Sequence, residues 1–271
     1  MGHIAHLPKS VICQLRSSSI LPDLAQALEE LICNSLDAGA KKVCVYVDLT
    51  SFFIKVEDDG SGVTRDDLKL IGERYATSKL HDMVDLECGL STLGFRGEAL
   101  SSLSEIGVVE IITRTRGSPN TYKKILKGSK KLSLGLHGEQ RAPGTTVVLR
   151  DLFYNLPVRR KVFQSSSRKL LQGVKDRALR LALIHPDVSF RVLDIDRQEN
   201  LICTRSCSSS LDTLCDFFGE HLRHELHELH FAKECLKLDA FISKETNRSS
   251  SKAVQFLCIL LNSNILFAFF C

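Results

Sequence analysis

Three polar residues, Glu30, Asn34 and Asp37, stand four and three positions apart in the run Leu28–Ala40. On a helix that spacing puts them on one face. Leu24, Ala27, Leu28, Leu31 and Ile32 form an apolar stripe on another face, so the run reads as an amphipathic helix. The carboxamide oxygen of Asn34 is a neutral hard ligand suited to Mg²⁺, whose shell phosphate oxygens and waters complete. Glu30, one turn away, can hold and deprotonate a water aimed at a phosphoryl group. Taken alone, the same pattern also describes a helix with a solvated polar edge.

An aspartate at a glycine turn is the second feature. Val43–Val47 and Phe53–Val56 alternate with period two about a Thr50–Ser51 turn and predict a β-hairpin. The second strand then delivers Asp58 at its end, where Gly60 and Gly62 let the backbone turn tightly and approach a ligand. A carboxylate there can accept from an exocyclic amine such as adenine N6. Further on come Thr77, Ser78 and Lys79, then Gly94-Phe95-Arg96-Gly97-Glu98-Ala99-Leu100. That flexible loop feeds a short helix over 98–106, whose first N–H groups suit an anion, with Lys79 and Arg96 as cations for a polyphosphate. Gly144-Thr145-Thr146 opens a strand whose hydroxyls can reach a base, and Leu152–Pro157 leads through a proline break into the basic helix start Arg159-Arg160-Lys161.

In order, these four segments resemble the nucleotide-binding signature of the ATPase superfamily shared by DNA gyrase B, Hsp90, histidine kinases and MutL. Asn34–Ala40, Thr77–Lys79, Gly94–Leu100 and Leu152–Lys161 are similar to the motifs of MutL homologues of DNA mismatch repair in particular, and the likeness runs from about Ser10 to Leu257. Arg16–Pro22, which lacks the glycine and acid that most relatives carry there, points to a eukaryotic branch associated with meiotic recombination. The resemblance implies an α+β fold, a two-layer α/β sandwich followed by a partial ribosomal-S5-like domain. It implies ATP and Mg²⁺ as cofactors, with Glu30 as general base, Asn34 as metal ligand and Asp58 as adenine partner. Asp37, Gly60, Gly62, Thr77, Ser78 and Lys79 line the pocket, 94–100 is the phosphate lid, and Thr145 or Thr146 lies near the base. Duplex DNA bound non-specifically through its backbone, a second MutL-type subunit and a nuclear location are implied too. The rival reading is a catalytically silent DNA- or partner-binding module.

Composition agrees with a globular chain: 271 residues, 44% hydrophobic and 25% charged, with a net charge of +4. The excess lies in Lys123-Lys124, Lys127, Lys130-Lys131, Arg159–Lys161, Arg168-Lys169 and Lys175-Arg177-Arg180, clusters able to touch DNA phosphates. Ten cysteines without a paired CxxC pattern read as reduced thiols. His221, His224, His227 and His230 drift around a helix and alternate unevenly on a strand, so an exposed polar stretch outweighs a metal site. Helices are expected over 168–183 and 211–218, and strands over 188–193, 236–242 and 254–257. A first domain is expected over 1–204, an incomplete second one over 205–257, and a tail without family resemblance over 258–271. Asn262, Ser263 and Asn264 interrupt that apolar tail, which argues against a membrane anchor, and the abrupt loss of resemblance after Leu257 is expected of a truncated or mis-spliced product.

Overall fold

The computed structural model describes residue 6 and residues 24–74, 76–77, 98–128, 130–233, 236–243, 255–261 and 264–270. Its first helix, α1 (Leu24–Asp37), buries Leu24, Ala27, Leu28, Leu31 and Ile32, the apolar stripe expected from spacing. The hairpin follows as β1 (Lys42–Asp48) and β2 (Phe53–Asp58), with Val45 opposite Val56. After α2 (Arg65–Leu70) and α3 (Ala99–Ile106) come β3 (Val108–Arg114), β4 (Tyr122–Lys127), β5 (Lys130–Leu136) and β6 (Gly144–Arg150). Helices α4 (Pro157–Ser165) and α5 (Ser167–Ile184) then lead to β7 (Ser189–Asp194) and β8 (Glu199–Cys203). These strands form one mixed sheet in the order β5-β4-β3-β6-β2-β1-β7-β8, in which β1 and β7 are the parallel pair.

Period-two burial explains why the helices sit on one side. Val43, Val45 and Val47 of β1, Ile54 and Val56 of β2, Val109 and Ile111 of β3, and Phe190 and Val192 of β7 all face the same core as α1. The alternate residues form a half-exposed, charged face, where Lys55 pairs with Glu57, and Lys123 and Arg150 pair with Glu110. Helix α5 packs across α1 and against β7 and β8, and α3 covers β3 and β4. The fold is thus the expected two-layer sandwich.

Lys124 corrects the reading of the basic clusters. It points into the core side of β4, between Tyr122 and Leu126, and is 2% exposed. Its ammonium donates to the carbonyls of Leu68 and Lys69 at 2.8 Å and of Ile71 at 2.7 Å. Those are carbonyls at the end of α2 that lack partners within the helix, so one lysine caps the helix from a neighbouring strand. Burial pushes its pKa down. Arg177 is committed as well, to Glu29 and to Gln26 of α1. Neither residue belongs to a surface for phosphates.

Beyond β8, α6 (Ser210–Phe218) and α7 (Leu222–Glu225) precede a second, antiparallel sheet of β9 (Leu226–Lys233), β10 (Leu236–Ser243), β11 (Gln255–Leu261) and β12 (Asn264–Phe270). His221 and His224 fall at α7 and His227 and His230 on β9, all exposed. Among the described residues no helix is long and apolar enough to cross a membrane, and no group of three or more His, Cys, Asp or Glu side chains could hold a metal ion.

Candidate functional site

The chain direction brings the C-terminal ends of β2 and β3 and the N-terminal ends of β1 and β6 to one end of the sheet. Asp58 closes β2 there, on the face covered by α1. Its Oδ1 accepts from the Gly60 and Thr145 N–H groups, each at 3.0 Å, and its Oδ2 from Ser35 Oγ at 2.9 Å. A carboxylate offers about four acceptor directions. Three therefore fix the group and the remaining one suits an exocyclic amine. Burial raises the Asp58 pKa, opposed by the hydrogen bonds from Gly60, Ser35 and Thr145 and by the nearby Arg141 cation.

Three glycines make this close approach sterically feasible. A Cβ on Gly60 would lie 2.9 Å from the Cβ and carbonyl oxygen of Ala38. On Gly62, at φ +72°, it would lie 2.2 Å from the Arg114 carbonyl oxygen, and on Gly144, at φ +129°, 2.1 Å from that of Asp58. Asp59 follows directly in the turn. Its Oδ1 accepts the Lys41 and Lys42 N–H groups at 2.8 Å each, tying the turn to the start of β1.

Along α1 the structure separates two adjacent acids. Glu29 pairs with Arg177 of α5, whereas Glu30 accepts from Gln26 Nε2 at 3.3 Å. The Gln26 oxygen accepts from Arg177 at 2.8 Å, so the amide links α5 to Glu30. Asn34 and Asp37 lie half-buried on successive turns beyond Glu30. Ser35, 4% exposed, continues the stripe of Leu28, Leu31 and Ile32 and reaches Asp58. A hydroxyl at a core position of an amphipathic helix is a readable sign of a buried partner.

Thr145 and Thr146 alternate across the sheet. Thr145 shares the Asp58 side, where its hydroxyl meets that of Thr113 at 3.1 Å, while Thr146 stands opposite Glu57 and Ile112 on the other face. Glu98 precedes α3 without a side-chain cap, and Ala99 and Leu100 form its first turn. Thr77 is half-buried. Ser78, Lys79, Gly94, Phe95, Arg96 and Gly97 lie outside the described residues. Arg141, in the loop before β6, gave no periodic signal and joins the site unexpectedly.

This sheet with its one-sided helical layer is the fold found in the N-terminal domain of a DNA repair protein and in a MutL ATPase domain. Residues 23–135 match the family model for histidine kinase-, DNA gyrase B- and HSP90-like ATPases. The DNA mismatch repair protein MLH3 of Arabidopsis thaliana is 47% identical over 89% of this chain and 21% of its own length. Human Mlh3 is 34% identical over 93% of this chain and 17% of its own. The crystal structure of the N terminal domain of a DNA repair protein superposes with a TM-score of 0.70 at 26% identity, covering 86% of this chain and 71% of that one. The Aquifex aeolicus MutL ATPase domain complexed with ADP gives 0.61 at 25% identity, covering 84% and 79%.

The chain belongs to the MutL family of DNA mismatch repair proteins. Within that family it resembles the plant and human MLH3 proteins, and it spans about a fifth of their length.

Proposed function

We propose that this chain binds ATP at the Asp58 end of the sheet, hydrolyses it slowly and uses it as a conformational switch in nuclear DNA mismatch repair or meiotic recombination. The observation that carries the reading is the threefold-held carboxylate of Asp58, which keeps one acceptor direction for a ligand. In this assignment Asp58 receives the adenine amine. Asn34 supplies a neutral oxygen to Mg²⁺, and Glu30 takes a proton from the attacking water. The metal, when bound, neutralises charge on the phosphate oxygens. Thr77, Ser78, Lys79 and 94–100 complete the phosphate side of the pocket.

Exposed Lys127, Lys130, Lys131, Lys161, Arg168 and Lys169 suit a duplex backbone without reading sequence. A second MutL-type subunit is the protein partner. The sheet β9–β12 is part of an S5-like second domain in this reading.

Asp58→Ala tests the site. A hydrogen bond to a charged acceptor contributes roughly 1.5–3 kcal/mol, so ATP affinity should fall about 10- to 100-fold. Fluorescent ATP-analogue titration of the folded variant measures it. Wild-type affinity in that variant would move the adenine site elsewhere.

A further inference from the structure

We propose that Arg141 is a positioning residue that ties the Asp58 end of β2 to β3 and so holds Asp58 in place for the nucleotide. This inference rests on the adenine role given to Asp58 above. Arg141 lies in the loop between β5 and β6, half-buried, and its guanidinium spans two strands. One nitrogen donates to the carbonyl of Ile112 on β3 at 2.7 Å, and another to that of Asp58 itself at 3.3 Å. The loop is fastened in turn: the Arg141 carbonyl accepts from Arg114 at 2.7 Å, and its N–H donates to Thr121 Oγ1 at 3.4 Å.

The need for such a group follows from the ladder. The last β2 residue in register with β6 is Glu57, opposite Thr146. One step further, Gly144 crowds the Asp58 carbonyl too closely for any side chain. A planar guanidinium with several donors can serve two strand carbonyls at once, a task for which a lysine ammonium is poorly shaped. Removing it would take away the donor shared by two strands where the adenine-facing side chain is mounted.

The same placement, 3.3 Å from the Asp58 carbonyl, brings a positive charge to the residue whose carboxylate faces the nucleotide. The other groups facing that carboxylate are neutral donors: Ser35 from α1, the Gly60 N–H from the turn and the Thr145 N–H from β6. Glu57, on the same strand, and Asp58 are the acids that act on Arg141. Asp59 is turned to the Lys41 and Lys42 N–H groups. Burial raises the Asp58 pKa and Arg141 opposes the rise. An amine-accepting carboxylate works above its pKa and fails as pH falls through it, so loss of the cation moves that failure to higher pH.

The test uses the full chain as wild type, Arg141→Gln and Arg141→Lys. The Asp58 carboxyl carbon is followed by NMR against pH, assigned with Asp58→Asn, and Mg²⁺–ATP affinity is measured across the same range. In Arg141→Gln the carboxyl should titrate at higher pH than in wild type, and the acid limb of ATP binding should move with it. Arg141→Lys should return the titration towards wild type while affinity at neutral pH stays reduced, because the charge is restored but the two-strand fork is not. An unmoved Asp58 titration in a folded Arg141→Gln chain overturns the proposal. So does an affinity loss that is equal at every pH. A wild-type chain that binds no ATP overturns the nucleotide reading instead, and the carboxyl titration still decides the Arg141 coupling.

Discussion

Glu30→Gln should bind Mg²⁺–ATP as tightly as wild type and lose hydrolysis by about 10²- to 10⁴-fold, the usual contribution of a general base. The glutamine keeps the size and hydrogen-bonding reach of the acid but cannot take a proton. The neighbouring acid supplies the control. Glu29 pairs with Arg177 and so fastens α1 to α5, whereas Glu30 is oriented by Gln26, whose oxygen is itself held by Arg177. Glu29→Gln should therefore lower thermal stability modestly and leave turnover per folded molecule intact. Single-turnover hydrolysis beside equilibrium binding separates these outcomes. Equal turnover in Glu30→Gln and wild type would remove Glu30 from the chemistry. Binding without hydrolysis in the wild-type chain itself would favour the catalytically silent module.

Gly144→Val should abolish nucleotide binding and lower the melting temperature by on the order of 10 °C. Two separate costs converge at this residue. Its φ of +129° is a conformation that a β-branched residue does not adopt without strain, and the new Cβ would sit 2.1 Å from the Asp58 carbonyl oxygen. Strain of this kind and overpacking each cost about 1–3 kcal/mol. Relief requires β6 to move away from β2, which withdraws the adjacent Thr145 N–H from Asp58 Oδ1. Site and stability are therefore lost together, whereas Asp58→Ala should lose chiefly the site. A Gly144→Val chain with wild-type melting and ATP affinity would show that the strand ends are not packed as described.

Much of this arrangement is legible in the residues because burial and chemistry agree there. The α1 stripe and the alternation of β1 and β2 each have one reading, and Ser35 joins α1 to Asp58 at the end of β2. Elsewhere the two signals conflict. The hairpin of β4 and β5 is hidden by lysines: Tyr122, Lys124 and Leu126 share the inward face, and a charge at the middle position reads as surface until its three carbonyl partners are known. Ser35 carries a signal that the pattern of α1 does contain. Arg141 carries none, since it stands in an irregular loop between Gly138 and Gly144, and its partners are backbone groups distant in sequence.

The Asp58 end of the sheet is assigned here as a Mg²⁺-dependent ATP site. Isothermal titration of ATP into the wild-type chain, shown folded by circular dichroism, tests it directly when run with Mg²⁺ and again with the metal chelated. Saturable binding at one site per chain that weakens when Mg²⁺ is withdrawn is the expected result. A folded chain that takes up no ATP under either condition would contradict it.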